Sequence, residues 1–291
     1  RPFRETVGVG QKLEVLSEIA TVCRAKQAAI VHDWENKWAL EGSCGPRNAG
    51  MGYWDELKLH YNALAREGIS VEFVNQSSDL TGYGLVVVPM VYLLTDAFAK
   101  KLCDFAQNGG TVVVTYWTGV VDESDLCRLG DTPYGLTGLL GLRRTEIDGM
   151  YDGEVRCCTP ADGSGLPEAQ ASALCEVAVL NGTDPAAPLS FYAEDYYEGS
   201  PAAAVHPYGK GRAYYLASRF DEAFYRAFYH RAASEAALVS AWPEPLPDGV
   251  LAVRRGGFVF VQNCTEQPVT INCTVLGRYR TAVWKDGKQV L

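Results

Sequence analysis

The 291-residue chain has few of the motifs that announce chemistry. None of its nine cysteines falls in a C-x-x-C pair. Its four histidines, His32, His60, His206 and His230, form no H-x-x-x-H or H-E-x-x-H, the spacings by which one helix face holds zinc. No G-x-G-x-x-G or G-x-x-x-x-G-K-[ST] follows a strand, and no G-x-S-x-G elbow is present, so the phosphate-cradling and α/β-hydrolase signatures are missing. Positive charge is scarce: 26 Lys and Arg face 35 Asp and Glu, a net charge of −9. A protein that reads a phosphate backbone needs a basic face, so nucleic acid is excluded as a partner. The apolar runs are too short to span a bilayer, so no membrane partner is expected. The opening RPFRETVGVG has no apolar core of a signal peptide and no initiator Met, and reads as part of something longer.

A hydrophobic content of 47% with 21% charged residues is ordinary for a globular protein, with length enough for one large domain or two smaller ones. Scattered cysteines in an odd number read as reduced thiols of a cytoplasmic protein, and most as small buried hydrophobes. Adjacent Cys157 and Cys158 are poorly placed to bridge each other. Four Asn-x-Ser/Thr sequons, from Asn75, Asn181, Asn263 and Asn272, carry no meaning in such a compartment.

Periodicity divides the chain. Residues 11–22 place Leu13, Leu16, Ile19 and Ala20 on one helical face. AAIV (28–31), ISVEFVN (69–75), LVVVPM (85–90) and TVVVTYW (111–117) read as strands. The most continuous apolar runs are of the kind buried on both faces of a parallel sheet. Between them, YWDELKLHYNALAREG spaces Trp54, Leu57, Tyr61 and Leu64 helically and stops at Gly68. TDAFAKKLCDFAQNGG starts at a Thr95 cap and sets Phe98, Leu102 and Phe105 on one face. Helices alternating with apolar strands imply a parallel sheet covered on both sides, with functional groups at the carboxyl ends of the strands. Beyond about residue 150, CEVAVLN, LSFYAED, AAAVHPY and RAYYLAS are short strands. The last two flank a Tyr208-Gly209-Lys210-Gly211 turn, and residues 221–241 form a helix. The Pro-rich 242–249 reads as a linker before a small antiparallel β unit at 250–291. The α/β domain therefore spans 28–241. A Gly/Pro/Asn-rich loop is expected at 41–52.

The segment HDWENKW (32–38) follows the AAIV strand and holds two carboxylates between tryptophans. Asp33 and Glu35 on an extended chain would lie about 6.5–7 Å apart on one side. A glycosidase needs its two carboxyls on opposite sides of the scissile bond, so the pair is not a catalytic dyad. Asp79, Asp122, Glu123 and Asp125 are other acids with no sequence partner. Trp34, Trp38 and Trp54 fit core packing, a protein interface or a sugar platform.

The runs AAIVHDWENKWAL, SSDLTGYGLVVVPMVYLLTD, NGGTVVVTYWTGVVDESDLCRLGDTPYGLTGLLGLRRTEID and AVHPYGKGRAYYLASRFD resemble the middle, trimerisation domain of the family-42 glycoside hydrolases, bacterial β-galactosidases. LPDGVLAVRRGGFVFVQNCTEQPVTI resembles their small C-terminal β domain. The resemblance covers nearly the whole chain and keeps the order of the motifs. It implies a flavodoxin-like fold of the class I glutamine amidotransferase type, a homotrimer, and a parent enzyme that hydrolyses terminal β-D-galactosides with retention. In that family a separate TIM barrel of about 250 residues carries the catalytic glutamates, and it would precede Arg1. The resemblance likewise implies that 1–27 is a linking helical segment. No catalytic, cofactor-binding or metal-ligating residue is carried over, and no cofactor is expected. The galactoside substrate would be met only through the parent's barrel.

Amidotransferases place a nucleophilic cysteine on the turn after a strand, with a later His-x-Glu. Here that turn is TYWTG, with Trp117 at the nucleophile's place, and His206 is followed by Pro207 and Tyr208. A tryptophan is no nucleophile, so amidotransfer is not expected. Asp33, Trp34, Glu35, Trp38, Trp117, Asp122 and Glu123 are the candidates for an interface or a pocket wall, with DWENKW expected to be an exposed loop at the sheet's carboxyl edge and YWTGVVDESD following another strand end. The competing reading is a stand-alone carbohydrate-binding or protein-interaction module.

Overall fold

Contiguous apolar runs form the centre of the molecule. In the computed structural model, which describes residues 2–15, 17–43, 51–244, 246–272, 283–285 and 288–290, the runs AAIV, LVVV and TVVVT are buried along their whole length. The order is α1 (Pro2–Val15), β1 (Ala28–Val31), α2 (Trp34–Gly42), α3 (Tyr53–Arg66), β2 (Val71–Val74), β3 (Leu85–Val88), α4 (Asp96–Gln107) and β4 (Thr111–Thr115). There follow α5 (Thr137–Leu140), β5 (Leu142–Gly149), β6 (Arg156–Pro160), β7 (Ala169–Leu180), β8 (Ala187–Tyr192), β9 (Pro201–Tyr208), β10 (Gly211–Leu216), β11 (Ser218–Phe220) and α6 (Glu222–Glu235). Two hairpins close the chain, β12 (Val250–Arg255) with β13 (Phe258–Asn263) and β14 (Val283–Lys285) with β15 (Lys288–Val290).

β1 to β11 form one sheet in the order β11-β7-β6-β8-β9-β10-β4-β3-β1-β2, with β5 added beside β7. The sheet is mixed, which corrects the expectation of a parallel one. Only the β2-β1-β3-β4-β10 portion is parallel, and β9 onward is antiparallel. The physical reason lies in the connections. Helical crossovers join β1 to β2 and β3 to β4, and a ten-residue connection (75–84) carries the chain from β2 past β1 to β3, so these strands pair parallel, whereas the two-residue turn at Gly209-Lys210 can only reverse the chain. Gly209 supplies the positive φ (58°) that such a turn needs. The later short strands continue this same sheet, and they include β5 and β6, which periodicity did not reveal.

Helix boundaries follow their caps. Thr95 accepts from the Phe98 N–H at 3.2 Å, and Asp221 accepts from the Phe224 N–H at 3.0 Å. At the N-terminus the helix lies earlier than its periodicity implied: α1 ends at Val15 and leaves Leu13 exposed, while Ser17–Ile19 is a short 3₁₀ turn. The loop expected at 41–52 falls largely on 44–50, outside the described residues, as do Cys44 and Cys273. The seven described cysteines are all free thiols. Trp242, in the Pro-rich segment, is buried with Ala241 and Ala252 in a small second cluster. The β12–β13 hairpin is tied back to the body where Arg255 Nε donates to the Val22 carbonyl at 2.6 Å. Among the described residues, no helix is long and apolar enough to cross a membrane.

Candidate functional site: an aromatic cleft at the carboxyl ends of the strands

The chain leaving β1 turns at once into α2, so DWENKW is helical rather than the exposed loop its composition suggested. Asp33 stays extended and its Oδ1 accepts from the Glu35 N–H at 3.0 Å, the usual work of a helix N-cap. Asn36 does the anchoring. It is fully buried, its Nδ2 donates to the Met90 carbonyl and its Oδ1 accepts from the Leu93 N–H, both at 3.0 Å. These bonds lock the first turn of α2 onto the segment after β3. No sequence signal separated Asn36 from its polar neighbours.

With that turn fixed, Trp34 and Trp38 face outward, 54% and 62% exposed. Their ring centroids are 6.3 Å apart. Trp54, from α3, meets Trp34 edge-on at 5.9 Å. His32 is the hub: it stacks on Trp54 at 4.9 Å and meets Trp34 edge-on at 5.1 Å. Burial holds its imidazole below the ordinary value, against the pull of Asp33.

A cleft of about 870 Å³ opens beside these rings, lined by Asp33, Trp34, Glu35 and Trp38, by the ends of β1 and β2, by residues 75–78, and by Glu123. It lies where the strand order reverses at β1, the place at which open α/β sheets receive ligands. Residues 75–78 of the lining are tied down by hydrogen bonds. Asn75 Oδ1 gathers Ser77 N–H, Ser77 Oγ and Ser78 Oγ at 2.8–3.1 Å. Gln76 bridges to Leu93 and Thr95, and Lys101 Nζ donates to the carbonyls of Gln76 and Ser78 at 2.9 and 2.8 Å. Asp122 is spent on its own turn, accepting from the N–H groups of Ser124 and Leu126, which hold its carboxyl below the usual range. Glu123 lines the cleft 3.6 Å from Arg128.

Trp117 is not at this surface. It is buried, stacks on Tyr92 at 5.8 Å, and carries a φ of 60° that a bulky residue rarely adopts. Its backbone N–H donates to Glu176 Oε1 at 2.9 Å, and Arg144 reaches the same oxygen at 2.6 Å. Tyr215 donates to the other carboxylate oxygen. The turn after β4 thus carries a tryptophan held by a buried carboxylate. His206, the other residue of that comparison, donates from Nδ1 to the Leu139 carbonyl at 2.9 Å.

A second buried cluster also escaped the sequence. Glu56 of α3 accepts from His60 Nε2 (3.0 Å), Tyr116 (2.9 Å), Arg219 Nε (2.9 Å) and Tyr225 (2.7 Å). Burial alone would raise its carboxyl. The His60, Arg219 and Tyr225 interactions outweigh that and hold it down to about 2. This network joins α3, α6, the end of β4 and β11. Among the described residues, no group of three or more His, Cys, Asp or Glu is placed to hold a metal ion.

Comparison with known proteins meets this geometry. The β-galactosidase trimerisation domain family matches residues 26–239. β-Galactosidase BglY of Alicyclobacillus acidocaldarius is 44% identical over 274 residues, 92% of this chain and 39% of its own length. β-Galactosidase Pbg of Clostridium perfringens is 34% identical over 94% of this chain and 40% of its own length. The crystal structure of the cold-adapted β-galactosidase from Rahnella sp. R3 superposes with a TM-score of 0.84 at 41% identity, over 90% of this chain and 39% of that one. The chain thus spans about two fifths of the length of these relatives. With most of its sheet and the aromatic cleft inside the matched segment, the chain belongs to the β-galactosidase trimerisation domain family.

Proposed function

We propose that this chain is the non-catalytic assembly region of a cytoplasmic β-galactosidase that hydrolyses terminal β-D-galactosides with retention. Residues 28–241 form the trimerising α/β domain and 250–291 a small β domain after the 242–249 linker, with 1–27 leading in from the parent's barrel. The parallel portion, in the order β2-β1-β3-β4-β10, supports a flavodoxin-like, amidotransferase-type ancestry. The buried Trp117 at its turn supports the loss of that chemistry. We assign no catalytic group and no cofactor to the chain. The galactoside reaches it only through the parent.

One observation carries the reading: Trp34, Trp38 and Trp54 are 42–62% exposed in a contiguous patch, beside Asp33, Glu35 and Glu123. Exposed aromatics on rigid elements are the anchors of protein interfaces, and flanking charges fix register. The patch would pack against a barrel, the parent's own or a neighbour's. Asp122 supports it by shaping the Glu123 turn, and Trp117, away from the patch, anchors the turn after β4. The test is sedimentation of the chain over a range of concentrations. A species of about 95 kDa, three times the 31.7 kDa monomer, is expected, with mass-action dependence on concentration. A monomer throughout refutes autonomous assembly. The second reading, a carbohydrate-binding module, draws on the same exposed indoles and requires saturable sugar binding by the isolated chain.

A further inference from the structure

Asp33 and Glu35 present carboxylate oxygens to the cleft that no cation of the described residues pairs. Asp33 commits one oxygen to the α2 cap and keeps the other. The nearby lysines are occupied. Lys37 bonds Glu41 at 2.5 Å, and Lys101 is tied to two backbone carbonyls. Lys37 also sits 5.9 Å from the centroid of Trp34, so one cation of this chain already uses that indole's face.

These features select a ligand class. Phosphates and other anions are repelled by the acidic rim. A neutral ligand that covered the cleft would desolvate two carboxylates without compensating their charge, which is costly. A cation compensates them and gains the faces of Trp34 and Trp38 as well. Among cations, a guanidinium fits best: it is planar, weakly hydrated, and able to stack on indole while forking to a carboxylate. We infer that the cleft is a receptor for an arginine side chain, presented by the protein surface with which this region assembles. The identity of that surface rests on the assembly reading above, whereas the chemistry of the cleft does not.

The test titrates the chain with N-acetyl-L-argininamide, following tryptophan fluorescence below the concentration at which sedimentation detects assembly. Its uncharged isostere, N-acetyl-L-citrullinamide, and lactose serve as controls. A saturable change with a dissociation constant on the order of 1 mM is expected for the arginine compound alone. It should weaken about tenfold in Glu35→Gln and vanish in Trp38→Ala. Asp33→Asn, which keeps the helix cap, should weaken it with circular dichroism unchanged. Equal responses to the arginine and citrulline compounds, or a response to lactose alone, overturn the inference. So does no response to any of them. The two readings separate cleanly. A chain that trimerises but shows no arginine-specific response keeps the assembly reading and overturns the arginine receptor. Arginine binding by a chain that stays monomeric does the reverse.

Discussion

Removing the Glu56 carboxylate tests the account of the buried network directly. The residue is fully buried, and four donors converge on it: His60, Tyr116, Arg219 and Tyr225. Glu56→Ala leaves the Arg219 guanidinium, whose side chain is 17% exposed, with only the carbonyls of Met51 and Gly52. Breaking a buried ion pair from one side costs about 3–5 kcal/mol, mostly the penalty of the charge left behind. At roughly 2–4 °C per kcal/mol for a large domain, the melting temperature should fall on the order of 10 °C. Glu56→Gln keeps the volume but turns an acceptor into a donor facing other donors, so it should recover little. In a double-mutant cycle with Arg219→Ala, the two losses should fall short of additive by about 1 kcal/mol or more. Its partners hold the folded carboxyl down to about 2, below the ordinary 4.5. Its contribution is therefore complete above about pH 4.5 and is lost as pH falls toward 2, because the unfolded chain binds the proton first. That shift is worth about 3 kcal/mol. Urea midpoints at pH 6 and pH 3 should differ more for the wild type than for Glu56→Gln. A loss below about 1 kcal/mol in Glu56→Ala, or equal pH sensitivity in both chains, refutes the reasoning.

Three other outcomes follow from named contacts. Trp38→Ala removes a side chain that is mostly in water, so its urea midpoint should stay within about 0.5 kcal/mol of wild type while sedimentation of the barrel-containing parent shows weakened assembly. Glu176→Gln strips the charge facing Arg144, whose side chain is 5% exposed, and should cost about 3 kcal/mol in urea denaturation. Asp221→Ala deletes the α6 cap and also the acceptor for the Gln170 N–H (2.8 Å), for a loss of about 1–2 kcal/mol.

The sequence was legible where a signal is local. Contiguous runs such as LVVV and TVVVT declare strands buried on both faces, because no polar residue interrupts them. Thr95 and the Gly209-Lys210 turn are read from chemistry within four residues. LRRTEIDG hid β5, since polar residues dominate a strand whose pairing to β7 is supplied from elsewhere in the chain. DWENKW read as a loop because its polar residues mask a short helix. What holds that helix is Asn36, through Met90 and Leu93, more than fifty residues away.

The same division runs through the site. The long strings around DWENKWAL and VVDESD determined the family, and the order of strands and helices determined the α/β class. Tertiary structure decided which acids are buried and which face water. Glu56 and Glu176 look like any surface glutamate in the sequence; besides His60 on its own helix, Glu56 needs partners 60 to 169 residues distant, and Glu176 needs partners 32 to 59 distant, to make burial of their charge tolerable. Tertiary structure also withdrew Trp117 into the interior and left Trp34 and Trp38 in water. The reason is physical: backbone preference and hydrophobic pattern are encoded within a few residues, whereas compensation of a buried charge needs groups that meet only when the chain has folded.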